Sequence, residues 1–398
     1  TDGETETTRA DYPDGLPEKD FGGAAFTVLG YDSTIGFIYA EELTGDVMGD
    51  SLYNRNLRVA DRFGVDLRFI EGGDYHAITT LCNNAVTAGE DTYQMVASHV
   101  IEMGKNIASG IYQPVNDLSY VDFSKPWWSK SCTEALAYHG KTYLAIGDFD
   151  LSAVGKAVCL VYNKDLAETY ELPNIYETVR SGKWTRDELT RICEGTYVDV
   201  NGDGKADKED IYGYGYQITN PADVWLTAFD QPLFTMNDDN TYTINFMSEK
   251  TTAIIEKLVD FHYNNPGVYL PANQYDEQTY FLNGQFAMAP LRFHCAYTKL
   301  RDMENPYSML PYPKWDEAQS AYYTNADDKF TAFMIPLTAY NNIDFVGTIF
   351  EALCAISYKK VYPEYYDVAL KGKYATDSNT AEMIDLIMAG RNFDFTFQ

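Results

Sequence analysis

The sequence predicts an α/β protein in two lobes, each a mixed, mostly parallel sheet flanked by helices. Three observations carry this. The chain has 398 residues, more than one hydrophobic core usually serves. Its first third alternates apolar runs of strand length with segments of helical period. A second alternation of the same kind starts near residue 150.

The elements follow in order. FTVLGYD (26–32) is an apolar run closed by turn residues, a first strand. SLYNRNLRVADRFG (51–64) repeats at helical spacing through Leu52, Asn56, Val59 and Phe63, with Gly64 as the stop. VDLRFI (65–70) alternates as a strand, YHAITTLCNNAVTAG (75–89) is helical to Gly89, and YQMVAS (93–98) is a third strand before a helix to about Gly110. Such β-α-β-α-β-α order predicts a parallel sheet covered on both faces. Ligands of open sheets bind at the carboxyl ends of the strands, which nominates Tyr31, Asp32, Ser98 and His99. KTYLAIGDFDLSA (141–153) is an extended interruption. KAVCLVYNKDLAETY (156–170) then reads as a strand running into a helix, and KWTRDELTRICEG opens a helix with Thr185 and Glu188 spaced as a capping box. Residues 246–263 form an amphipathic helix with Ile254, Leu258 and Phe261 inward. Residues 351–374 and 380–390 supply the last helices.

Composition bounds the function. The net charge is −29, which repels nucleic acid and anionic membrane surfaces. No apolar run is long enough to span a bilayer. The first twenty residues hold seven acids and two bases with almost no large apolar side chains, and read as a flexible tether. A tether there fits a chain exported and anchored at its amino end. The six cysteines, Cys82, Cys132, Cys159, Cys193, Cys295 and Cys354, show no metal spacing and sit in apolar stretches, so they read as buried thiols. Thirty-three tyrosines exceed what a core needs, and suit a surface that grips polar ligands by flat faces and hydroxyls.

Several stretches resemble the extracellular solute-binding proteins of ABC transporters, of the carbohydrate-binding type that includes maltose-binding protein. LVYNKDLAE (160–168) is similar to the segment that opens the second lobe. YFLNGQFAMAP (280–290) resembles the return toward the first, and MLPYPK (309–314) and TAFMIPLTAYN (331–341) match in order and spacing, as do the late helices. The resemblance implies a type II periplasmic-binding-protein-like fold, with crossings near 145–150, 286–290 and 333–338. It places a tether at 1–20, lobe 1 at 21–147 and 287–335, and lobe 2 at 148–286 and 336–398. It implies a carbohydrate ligand between the lobes, ABC-transporter membrane subunits as partners, and a monomeric lipoprotein at the cell surface. Relatives commonly continue past the point where this chain ends, so it also implies a shortened carboxyl end.

A sugar ring has apolar faces and a polar edge, so its site needs aromatic platforms beside carboxylates, amides or arginine. Trp127, Trp128 and Trp225 are the candidate platforms, the last delivered by the loop ITNPAD. Trp184 and Trp315 read as structural. Asp148 and Asp150 would share one face of an extended crossing, and Arg292, next to His294, would bind ligand or pair with one of them. No GxSxG elbow, HExxH or P-loop occurs. A glycosidase using Asp148 and Asp150 is the enzyme alternative, and a calcium-stabilised surface module is the structural one.

The stretch VDVNGDGKADKEDIYG matches a calcium loop, with Asp199, Asn201, Asp203 and Asp210 as side-chain ligands, Lys205 through its carbonyl, Asp207 at the ninth position, and Gly204 at the turn. Aspartate replaces the usual glutamate at the twelfth position. Structural calcium is therefore expected.

Overall fold

The computed structural model describes residues 8–393 apart from 139, 217–223, 238, 240, 274, 302, 328 and 376. The chain divides into two compact units. The first takes Thr1–Ala153, Asp328–Ala369 and Gln398, the second Val154–Asp327 and Leu370–Phe397. In chain order the strands are β1 Ala24–Gly30, β2 Val65–Glu71, β3 Met95–His99, β4 Tyr112–Gln113, β5 Val158–Asn163, β6 Tyr212–Gly215, β7 Phe234–Met236, β8 Tyr242–Ile244, β9 Val268–Tyr269, β10 Phe286–Arg292, β11 Tyr307–Leu310 and β12 Thr331–Pro336.

The first unit's sheet runs β2-β1-β3-β12-β4. β1 pairs in parallel with β2 and β3, while β12 enters antiparallel to β3 and β4. β1 is buried from Phe26 to Gly30, as its unbroken apolar run requires of a strand covered on both faces. The helix Val47–Phe63 buries Leu52, Asn56, Val59 and Phe63, the four positions of its helical stripe. It begins a turn before the periodicity does, because the Asp46 carboxylate accepts the Gly49 N–H at 2.8 Å and caps it. Gly64 ends it at φ 57°, the left-handed cap that glycine adopts without penalty.

The second unit's sheet runs β11-β5-β10-β6-β9, with β6 parallel to β10 and β9, and β5 antiparallel to β10 and β11. β7 and β8 form a separate hairpin. Thr185 caps the helix Arg186–Glu194 through the Glu188 N–H, but the Glu188 carboxylate goes to Arg191 at 2.7 Å, so only half of the capping box forms. Leu160, Trp184, Leu189, Tyr214, Phe261 and Met288 centre this core.

Several sequence expectations change. Residues 8–20 are no tether: Asp14 pairs with Arg62 at 2.6 Å, Lys19 with Asp344 at 2.6 Å, and the Tyr12 ring meets Trp127 edge-on at 5.8 Å. Residues 1–7 lie outside the described residues. β10 is a central strand of the second unit, not a crossing into the first. The helix Ile343–Ile356 belongs to the first unit, because its apolar side chains fill that core. It continues as wider π-helical turns at Ser357–Val361 and Glu364–Tyr374, around Pro363, which has no N–H for an ordinary helical bond. All six cysteines are buried free thiols. No helix among the described residues is long and apolar enough to cross a membrane.

Candidate functional site

In the first unit, β1 and β3 end side by side and present Tyr31, Ser98 and His99. The Tyr31 N–H bonds the Ala97 carbonyl at 3.0 Å, which fixes the exit from β1. The Tyr31 ring lies edge-on to the His99 imidazole at 4.3 Å. Tyr75, the first residue of the helix after β2, stacks near the same imidazole at 6.2 Å and stands 6.1 Å from Tyr31. The three rings make one aromatic cluster. Beside it β12 brings Thr331 into register with His99. Among the described residues the buried hydroxyls of Ser98 and Thr331 have no hydrogen-bond partner, a cost that a polar ligand atom would relieve. Thr331 shares the face of His99, whereas Ser98, the residue before it in β3, takes the opposite face. Asp32 does not join them as a free acceptor: its carboxylate takes the Gly73 N–H at 3.0 Å and holds the turn.

Sequence reasoning missed Tyr75 and Thr331. Tyr75 follows Gly72-Gly73 at the carboxyl end of β2, so the strand-end rule covers it. Thr331 escapes that rule because β12 runs antiparallel and offers its amino end to the same edge.

In the second unit the parallel strands β6 and β9 end at Gly215 and Tyr269, and β10 runs on past them to Arg292. The Arg292 guanidinium donates through Nε and Nη2 to one oxygen of Asp327, and both residues are buried. This corrects the expected pairing with Asp148 or Asp150. Burial pulls the guanidinium down, but the Asp327 carboxylate outweighs it and holds the group above its ordinary value. Glu277, on the helix Asp276–Leu282, is also buried, and its Oε2 has no hydrogen-bond partner among the described residues. Burial raises its carboxyl above the usual range despite nearby Arg292. His294 Nδ1 lies 3.1 Å from the Gly155 carbonyl, and burial pushes the imidazole down to about 4, so it is neutral at pH 7.

The tryptophans are not platforms. Trp127 and Trp128 are 1% and 4% exposed, and each donates its indole N–H to a separate oxygen of Glu351, at 2.9 and 3.0 Å. Trp225 is buried between Tyr312 and Phe229, at 4.9 and 5.4 Å. Burial of their large apolar area outweighs display at a surface. The loop ITNPAD (218–223) lies outside the described residues. Asp148 and Asp150 do not share a strand face either. Gly147 to Asp150 form a turn closed by the Asp150 N–H on the Gly147 carbonyl, and the Asp150 carboxylate accepts the Ser152 N–H.

The acidic loop folds as a series of side-chain-capped turns. Asp199 accepts the N–H groups of Gly202 and Gly204 at 2.7 and 2.8 Å, and Asn201, Asp203 and Asp207 each accept an N–H two residues on. Gly202 and Gly204 take φ 73° and 75°, which glycine adopts readily. Asp210 is buried. Burial raises its carboxyl, but N–H bonds from Asp207 and Val200 and the Tyr197 hydroxyl outweigh it and hold it low. The donors are all oxygen, the chemistry calcium takes. Among the described residues, however, no three His, Cys, Asp or Glu side chains are grouped to hold a metal, because these carboxylates turn onto backbone N–H groups.

No protein-family model and no curated protein matches the chain. Solved structures do. An ABC substrate-binding protein from Listeria monocytogenes in complex with cycloalternan aligns over 94% of this chain and 88% of its own, at 14% identity and TM-score 0.56. A maltose/maltodextrin-binding domain from Bdellovibrio bacteriovorus bound to maltotriose aligns over 94% and 89%, at 15% identity and TM-score 0.55. The chain has the fold of these solute-binding proteins. A cyclo/maltodextrin-binding protein complexed with maltotetraose, at 15% identity and TM-score 0.59, covers 94% of this chain and 87% of its own. The sequence resemblance points to the same group of proteins.

Proposed function

We propose that the protein captures a sugar or oligosaccharide outside the cytoplasm, without turning it over, and delivers it to the membrane subunits of an ABC importer. The supporting observation is the Tyr31–Tyr75–His99 cluster beside the Thr331 hydroxyl, which has no partner among the described residues. Apolar ring faces stack on tyrosine, and sugar hydroxyls answer a buried threonine. A ligand that favours one conformation of such a protein shifts its population toward it, and transport needs nothing more of the ligand. An amino-terminal lipid anchor and a monomeric state belong to this reading.

Calorimetry with maltotriose, maltotetraose and cycloalternan tests it. Tyr75→Ala and Tyr31→Ala each weaken binding by about 1–2 kcal/mol, roughly 5- to 30-fold. Failure of every saccharide to bind, or release of shorter products, overturns it.

We extend the proposal to one structural calcium ion, which Asp199, Asn201, Asp203, Asp207 and Asp210 and the Lys205 carbonyl would hold. The all-oxygen donor set and the two left-handed glycines support it. At a hundred times the dissociation constant, calcium raises stability by about 2.7 kcal/mol, read as a rise of roughly 5–10 °C in melting temperature. Asp203→Ala abolishes the rise and leaves saccharide affinity unchanged. Identical melting in calcium and in chelator overturns the calcium assignment alone.

A further inference from the structure

The second unit holds a cavity of about 440 Å³ whose lining shares no residue with the strand-end face. Its walls come from the end of the helix Ile175–Arg180, from residues 320–323, and from the helix Ser378–Ala389. One wall carries Lys314, whose side chain is almost fully buried at 4% residue exposure. The ammonium donates to the Gln319 carbonyl at 2.9 Å and, at 3.4 Å, to that of Glu317. No ion pair among the described residues includes Lys314. The acid in the same wall, Glu382, is committed to Arg180 by paired bonds from Nε and Nη2. Lys314 is thus a buried cation with no carboxylate partner, met by two carbonyl dipoles and, at 5.7 Å, by the face of the Tyr322 ring, and a buried charge without an opposite charge is costly. Its three donors meet two acceptors, which leaves one N–H for another oxygen.

The cavity meets that ammonium at Gly182. A Cβ there would come 3.2 Å from Lys314 Nζ, and Gly182 has φ +72°, so glycine keeps the approach open at a conformation other residues resist. The remaining lining includes Val179, Ala321, Leu386 and the rings of Tyr322 and Tyr323. The Tyr322 hydroxyl donates to the Val179 carbonyl at 2.8 Å, which fixes its ring as a wall.

We propose that this cavity binds a small monocarboxylate with an apolar or aromatic body. One uncompensated positive charge matches one negative charge. A dianion such as phosphate would find too few donors and the Glu382 carboxylate in the wall. The apolar lining suits a hydrocarbon body better than a hydrated ion. The whole-chain charge of −29 repels anions at long range, so a bound carboxylate must be held by local contacts. The site stands independently of saccharide capture.

Titration calorimetry of the full chain with sodium benzoate tests the assignment. We expect one saturable site, no competition from neutral benzamide or from phosphate, and a loss of roughly ten-fold or more in affinity in Lys314→Met. Maltotetraose binding should be the same in Lys314→Met as in the parent. Gly182→Ala, which crowds the ammonium without removing it, should weaken benzoate in the same direction and covers a Lys314→Met chain that does not fold. Absence of saturable benzoate binding, unchanged affinity in either folded variant, or equal competition by benzamide or phosphate overturns the proposal.

Discussion

Arg292→Ala lowers the stability of the protein by about 3–5 kcal/mol, the scale of loss when one member of a buried ion pair is removed. Arg292 ends β10 and Asp327 precedes β12, and both side chains are buried. The guanidinium bonds the Asp327 carboxylate and also faces Glu277. Its removal therefore takes a positive neighbour away from two buried acids. Asp327→Leu alone strands the guanidinium instead, with a loss of similar size. The double variant Arg292→Met, Asp327→Leu removes both charges and recovers most of the loss, because an apolar pair can replace a buried ion pair at little net cost. Chemical denaturation of the four proteins reads this as shifts of the midpoint. A single variant within about 1 kcal/mol of the parent, or a double variant no better than the singles, would show that the pair behaves as if solvated.

How much of this was legible depends on how far apart in the chain the deciding residues lie. β1, β2 and the helix Val47–Phe63 followed from period and punctuation, since Asp46 and Gly64 act on neighbours within one turn. The strand-end rule reaches Tyr31, Ser98 and His99, which do lie at the ends of β1 and β3, because parallel pairing is implied by the alternation itself. The tryptophan pair was misread for the opposite reason. PWW looks like a displayed loop, and nothing near it shows that both indole N–H groups end on Glu351, 224 and 223 residues away. Arg292 was misassigned in the same way, because its partner Asp327 lies 35 residues on. Thr331 was missed and the helix Ile343–Ile356 was misplaced because local patterns give strands and helices but not which sheet they join. The acidic loop was the reverse case. Its motif lies within twelve residues and, apart from aspartate at the twelfth position, is read without any distant partner, as are the N–H groups that its carboxylates accept within the same loop.

Glu351→Ala costs the protein about 3–5 kcal/mol, because it opens a cavity and leaves two buried indole N–H groups without acceptors. The carboxyl is fully buried on the helix Ile343–Ile356, and the Asp122 N–H adds a longer contact at 3.4 Å. Two N–H donors on two separate oxygens favour the ionised form. Burial opposes them and wins, with repulsion from Asp122 added, and the group is pushed up to about 7. A folded value above the ordinary 4.5 means that the neutral acid is favoured in the native state. Its stabilising contribution is complete below about 4.5 and is lost as pH rises through about 7. At pH 8 that loss is on the order of 3 kcal/mol. Glu351→Gln separates the two effects. An amide offers one acceptor oxygen, so one indole N–H loses its partner at a cost of about 1–3 kcal/mol, and that cost does not vary with pH. The deficit of Glu351→Gln relative to the parent should therefore be largest near pH 5 and shrink or reverse by pH 8.5. The measurement is denaturation midpoint against pH for both proteins. Parallel profiles would mean that Glu351 titrates alike in folded and unfolded chains, and that the two indoles hold an ionised carboxylate throughout.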